Sequence, residues 1–167
     1  MKAKPIKHGI KVFACCCVYK GLLLSFTVYV GKDNTAAEDA NTTSICDNLI
    51  TKAKLTNARG GVLVTDNYYT TVKLAIHMWV KYGWTNVGTI IGTDKVTRTD
   101  HDIPFLKLTE GAWMECRRGW FWEAVLCVTN SGKELWIQAT TWRDKKQVMF
   151  LTTNRVGASS GNTVSWS

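Results

Sequence analysis

The first third of the chain alternates with a period of two and then changes period. Ile10, Val12, Ala14, Cys16 and Val18 alternate with Lys11, Phe13, Cys15, Cys17 and Tyr19, and both sets are largely apolar. Such alternation predicts a strand, and apolar side chains on both faces predict a central one. Lys20-Gly21 supplies a turn, and Leu22 to Val30 reads as the antiparallel partner, ending at Gly31. The run Val12 to Val30 is also the stretch that invites a membrane reading. A lysine and a glycine at its middle are costly at a bilayer centre and natural in a hairpin. Its interruption and its distance from the N-terminus do not fit a signal peptide.

After a polar stretch from Lys32 to Thr43 the period becomes helical: Ile45, Leu49 and Ala53 recur with Cys46 and Ile50 beside them. Gly60-Gly61 introduces Val62-Leu63-Val64, a short continuous apolar run that predicts a buried strand and stops at Thr65-Asp66-Asn67. Val72, Ala75, Ile76 and Trp79 then form an i, i+3, i+4, i+7 stripe. Either Thr70 or Thr71 can cap that helix, and Gly83 closes it. Asn86 to Gly92 predicts another strand. The order is strand, strand, helix, strand, helix, strand: an antiparallel hairpin leading into parallel crossovers, hence mixed α/β.

From Asp94 the texture changes. A polar loop to Asp102 and Pro104 precedes short apolar runs with little helical period and five of the eight tryptophans. Trp120 to Val128, Glu134 to Thr141 and Gln147 to Thr152 predict strands, the first two split by the turn residues Asn130-Ser131-Gly132. The reading is therefore an α/β part over 1–93, a β-rich appendage over 94–156, and a Ser/Gly/Asn/Thr-rich tail over 157–167 that frays.

Composition narrows the class. With 167 residues, 46% hydrophobic, 20% charged and two prolines, the chain is neither disordered nor collagen-like. Lys and Arg number 21 against 13 Asp and Glu, a formal charge of +8, which suits contact with nucleic acid or another anionic surface. The surplus is uneven: residues 1–32 carry six lysines and no carboxylate. A solvated face and a phosphate-facing edge both fit that run. Of the six cysteines, Cys15, Cys16 and Cys17 alternate across a strand and cannot together chelate one metal, and no C-x-x-C or finger-like Cys/His spacing exists. Reduced, buried thiols of an intracellular protein are the expectation.

Asp66 is the acid best placed for chemistry, because it follows a buried strand and precedes a helix. At that carboxyl edge of an α/β sheet ligands and divalent cations gather. The same placement also serves a residue that complements the helix dipole. Two-metal phosphoryl transfer needs several acids, and neither Asp33, Asp47, Asp94, Asp100 nor Asp102 has a position that compels pairing with Asp66. His8, His77 and His101 are scattered, and no nucleophile-elbow, Walker or dinucleotide motif occurs. Arg117-Arg118 and Lys145-Lys146 interleave with Trp113, Trp120, Trp122 and Trp142; such pairs can grip phosphates and stack on bases, and tryptophans in a small β unit equally form its core.

Several blocks together resemble the piggyBac-type transposases. Lys4-Pro5-Ile6-Lys7-His8-Gly9-Ile10-Lys11 resembles K-P-x-K-x-G-I-K, and Tyr29-Val30-Gly31-Lys32 the Tyr-x-Gly-Lys that ends the family's hairpin. Thr65-Asp66-Asn67-Tyr68-Tyr69-Thr70-Thr71 is similar to T-D-N-[FWY]-[FY]-T-S, although Lys73 stands where the following helix start has proline. Gly88-Thr89-Ile90 resembles a G-T-I/V-R strand, with Ile91 in place of the usual arginine. Trp142-Arg143-Asp144-Lys145-Lys146-Gln147-Val148, followed by Leu151-Thr152-Thr153-Asn154, is similar to W-x-D-[KN]-[KR]-x-V…L-S-T. These blocks occur in order over about residues 4–156.

The resemblance implies a partial RNase H-like core, a mixed sheet with flanking helices, followed by a β-rich, Trp-containing insertion domain. It implies cut-and-paste DNA chemistry at TTAA targets with three acids and two Mg²⁺ (or Mn²⁺) ions, Asp66 being the second acid and a metal ligand. DNA becomes the expected partner, with Lys4, Lys7, Lys11, Arg117, Arg118, Lys145 and Lys146 as phosphate contacts. A dimer of the full-length protein and nuclear residence, with no membrane, follow in the same way. The family's first acid lies in a block before the K-P-x-K segment and its third after the insertion domain, so one catalytic acid of three is matched here. The expectation is thus a fragment that is not catalytic by itself, whose sheet lacks its first strand and closing helices and so exposes an edge and an apolar face. The alternative is a domesticated, non-catalytic protein that binds DNA or a related transposase.

Overall fold

The computed structural model describes residues 10–29, 42–58, 60–90, 119, 121–130, 133–144 and 147–153, with the backbone alone for 121–124, 126, 128, 130 and 147. The chain divides into two compact units, Met1–Asn57 and Ala58–Ser167. The tail over 157–167 lies outside the described residues.

In the first unit, β1 (Lys11–Cys17) and β2 (Leu22–Tyr29) form the expected hairpin. Gly21, at φ 63°, closes the turn by donating its N–H to the Cys17 carbonyl at 2.7 Å. The register runs from Lys11 opposite Tyr29 to Cys17 opposite Leu22, with an irregularity between Cys15 and Cys16. α1 (Thr42–Lys52) packs its buried Cys46, Leu49 and Ile50 on one face of this hairpin. Ser25 Oγ donates to the Leu49 carbonyl at 2.7 Å, and Lys52 Nζ donates to Thr27 Oγ1 at 2.8 Å. Phe13, from the same hairpin face, is buried.

The other hairpin face is bare. Val12 (48% exposed), Phe26 (54%) and Val28 (43%) form two cross-strand layers with Ala14, and no described element of this unit covers them. This corrects the reading of β1 as a central strand: among the described residues it pairs with β2 alone, in a two-stranded sheet. Apolar alternation on both faces marks one face buried by α1 and one left open. The thiols also depart from expectation. Cys46 is buried, but Cys15, Cys17 and Cys127 are half-buried and Cys16 is exposed, all as free thiols; Cys116 lies outside the described residues.

In the second unit, β3 (Val62–Thr65), α2 (Val72–Tyr82) and β4 (Thr85–Ile90) form a parallel crossover, and β5 (Phe121–Asn130), β6 (Lys133–Arg143) and β7 (Gln147–Thr152) an antiparallel meander. The two are not separate sheets. β7 pairs antiparallel with β4, from Val87 opposite Thr152 to Ile90 opposite Met149, giving one five-stranded mixed sheet of order β3-β4-β7-β6-β5. The structure thus breaks at 57/58, and the sheet runs across the boundary expected at 93/94. The strands on either side of that boundary share one core: Val72 and Ala75 of α2, with Ile76 and Trp79 at its margin, lie on Ile90, Leu135, Ile137, Ala139, Met149 and Leu151. Burying each large side chain there contributes about 1.5–3 kcal/mol.

Two outcomes check this arrangement. Phe26→Thr keeps strand propensity while shrinking the open apolar face, so it should lower binding of an apolar dye and raise solubility, with unfolding free energy within about 0.5 kcal/mol of the parent. The Cys46 thiol is pushed up to about 12 by burial, then by the nearby Asp47 and Cys15. The unfolded thiol ionises first, near its ordinary 9.0, so this stability is full below pH 9 and is lost as pH rises towards 12. Urea unfolding between pH 8 and 10.5 should show a falling component that is missing in Cys46→Ala.

Candidate catalytic edge around Asp66

The end of β3 is built by short-range polar chemistry. Gly60, at φ 67°, turns the chain into the strand, and Gly61 lies against the Trp84 indole so closely that an added Cβ would sit 2.7 Å from the ring. Trp84 Nε1 in turn donates to the Ala58 carbonyl at 2.7 Å. Beyond Thr65 the backbone leaves the sheet in a turn: Tyr69 N and Thr70 N donate to the Asp66 carbonyl at 3.2 and 3.1 Å. The Asp66 side chain, exposed at this edge, accepts the Tyr68 N–H on Oδ1 at 2.9 Å. Asp66 therefore stabilises its own turn, as Asx residues do, rather than capping α2.

The cap is Thr71. Its backbone is extended (φ −145°, ψ 156°), and its Oγ1 accepts the Leu74 N–H at 3.0 Å. At the other end Gly83, at φ 66°, takes the left-handed conformation and donates its N–H to the Trp79 carbonyl at 2.9 Å, while the Trp84 N–H donates to the Met78 carbonyl at 3.2 Å. His77 lies mid-helix and half-buried, edge-on to Tyr82, which fits a packing role.

β4 forms the floor of the edge. Asn86 is fully buried; its Nδ2 donates to the Leu63 carbonyl at 3.1 Å and to Thr65 Oγ1 at 3.4 Å. Thr153, just past β7, clamps Asn86 from the other side: its Oγ1 accepts the Asn86 N–H at 2.6 Å and its N–H donates to the Asn86 carbonyl at 2.8 Å. Gly88 lies under the strand end, where a Cβ would meet Thr70 Oγ1, approach Thr65 Oγ1 to 2.5 Å and approach the Thr65 carbonyl oxygen to 2.6 Å. The sequence gives Asn86 no role, and Gly88 and Thr153 stand in it only as members of the blocks that carry the resemblance. The signal available is the pair of blocks Gly88-Thr89-Ile90, on a strand whose neighbour in space is β3, and Leu151-Thr152-Thr153, whose neighbour is β4.

Among the described residues no group of three or more His, Cys, Asp or Glu side chains could hold a metal ion. Asp66 supplies one hard oxygen ligand at an open edge, and that by itself is not a metal centre. Of the expected phosphate contacts, Lys4, Lys7, Arg117, Arg118, Lys145 and Lys146 lie outside the described residues. Lys11 is described, and its ammonium stands over the rings of Phe13 and Tyr29 at 4.8 and 5.4 Å. Trp142 and Trp136 are exposed on β6, whereas Trp84 is buried. Trp113 and Trp120, and the side chain of Trp122, fall outside the description.

The chain that carries this edge matches a family of known proteins over most of its length. The model of a DDE-type transposase family, described as Transposase IS4, matches residues 1–155. The chain belongs to this transposase family. No curated protein matches it. Among solved structures, a piggyBac transposase, determined by cryo-EM in a synaptic complex with hairpin DNA, shares the fold of this transposase chain with a TM-score of 0.61 and 16% identity. The alignment covers 95% of this chain and 30% of that one, so the chain spans less than a third of that relative. The α/β, piggyBac-like reading of the sequence is borne out.

Gly88→Ala should destabilise the second unit by about 1–3 kcal/mol, the cost of overpacking a site with backbone on one side. Urea unfolding followed by Trp fluorescence measures it. A change below 0.5 kcal/mol would mean that β4 and the β3 turn are not in contact as described.

Proposed function

We propose that this chain is part of the DNA strand-cleavage and strand-joining domain of a piggyBac-type cut-and-paste transposase, and that it is not catalytic by itself. The observation that carries the reading is the exposed Asp66 at the carboxyl end of a parallel strand, within a chain of a DDE-type transposase family. In this reading the hairpin and the β3–α2–β4 crossover belong to an RNase H-like core, and β5 to β7 correspond to the β-rich insertion. The partner is DNA, the transposon ends and TTAA targets, in the nucleus, with dimerisation a property of the longer protein.

A divalent cation, Mg²⁺ or Mn²⁺, would supply activation of the attacking oxygen and stabilisation of the leaving oxygen. Asp66 would be one of its ligands. This chain's own part is to hold that carboxylate at the sheet edge, with Oδ1 tied to the Tyr68 N–H.

A second reading, a domesticated protein without catalysis that binds DNA or a related transposase, is favoured by the basic surplus of +8 and by the lack of a metal-holding cluster among the described residues. Both readings predict that the purified chain with Mg²⁺ or Mn²⁺ neither nicks nor joins transposon-end DNA. Metal-dependent cleavage that disappears in Asp66→Ala would falsify them together. Both also predict salt-sensitive DNA binding, with a log–log slope of about −0.9 for each phosphate neutralised. Salt-insensitive binding would point instead to a protein partner.

A further inference from the structure

Thr70 is fully buried and is not the helix cap, since Thr71 takes that role. Its hydroxyl has three oxygens in reach: the Asp66 carbonyl at 2.7 Å, the Thr65 carbonyl at 3.3 Å and Thr65 Oγ1 at 2.9 Å. A hydroxyl has one proton to give, and the shortest contact, to the Asp66 carbonyl, takes it. Thr65 Oγ1 must then donate to Thr70 Oγ1, and the Asn86 Nδ2 contact to Thr65 Oγ1 points the same way. The result is a directional line of donors from β4 through β3 to the Asp66 carbonyl, in which each bond polarises the next. That carbonyl also accepts from Tyr69 N and Thr70 N, so three donors converge on one oxygen and the peptide plane after Asp66 is pinned. Gly88 leaves the room this line occupies, because any side chain there would displace both threonine hydroxyls.

We propose that Thr70 is a positioning residue: its hydroxyl fixes the backbone of the Asp66 turn and thereby the direction in which the Asp66 carboxylate leaves the sheet edge. The functional weight of this rests on the reading of Asp66 as a metal-facing acid, but its geometry does not. The Tyr68 N–H that holds Oδ1 belongs to the same turn, so loosening the carbonyl loosens the carboxylate. Serine retains the hydroxyl. Valine has the same shape without it and leaves the Asp66 carbonyl one donor short.

The test is NMR on the 167-residue chain. In Thr70→Val the Asp66 Hβ couplings should move towards rotamer averaging, and the Tyr68 amide should exchange about five- to tenfold faster, the effect of losing a bond worth about 1 kcal/mol. Thr70→Ser should restore both to within about twofold, and the Leu74 and Gly83 amides, which report the α2 caps, should not change in either variant. If valine unfolds the unit, Thr65→Val removes the donor to Thr70 and should shift the same couplings by a smaller amount. Unchanged Asp66 couplings and Tyr68 exchange in Thr70→Val, or in Thr65→Val where that variant has to be used, overturn the proposal. Added Mn²⁺ separates the two readings. Broadening of the Tyr68 and Tyr69 amides that is lost in Asp66→Asn supports the metal role. Broadening that persists in Asp66→Asn removes that role, while the couplings still decide the role of Thr70.

Discussion

The second unit depends on the antiparallel pairing of β4 with β7. A crossover such as β3–α2–β4 buries one side of α2 only if the sheet extends beyond two strands, and a two-stranded parallel sheet is too narrow to do so. β7 supplies the third strand and brings β6 and β5 with it, so the apolar stripe of α2 lands on residues from β4, β6 and β7 at once. The Asn86–Thr153 exchange continues this ladder one step beyond β7 and locks its register. A slip of one residue would turn Ile137, Ala139 and Leu151 to the opposite face and bring their polar neighbours under the helix.

The same ladder builds the acidic edge. β4 is held on one side by β7 and on the other by β3, and it presents a buried amide and a bare glycine to the end of β3. Two threonines fill that space with their hydroxyls, and the chain turns above them with Asp66 outermost. The edge is thus built from beneath by β4 and open above, where Asp66 is exposed.

Much of this was legible in the sequence because local signals were strong. The stripe Val72, Ala75, Ile76 and Trp79 with Gly83 after it admits one reading, and each strand assigned from alternation is present to within a few residues. What could not be read was adjacency. Period two says which face a residue occupies and nothing about which strand lies beside it, so the joining of β7 to β4 has no local mark in the sequence. β1 was read as central because apolar residues on both faces describe a strand covered twice and a strand left bare equally well. Thr70 and Thr71 are chemically equivalent caps. Only the position of β4 beneath Thr70 assigns one to the helix and the other to Asp66.

The clamp between Asn86 and Thr153 spans 67 residues of chain, and that separation sets an order of events. α2 and the turn before it are made from neighbours and can form as they are synthesised, but every strand that covers the helix, apart from β4, follows it by tens of residues. Contacts so distant in sequence form late in folding. A nascent chain therefore carries an amphipathic helix with its apolar side in water until β6 and β7 have left the ribosome. A message cut short before β7 yields a polypeptide in which α2 has little to pack on and Asn86 has lost its clamp, and such a product is a substrate for chaperones and proteases rather than a smaller working domain.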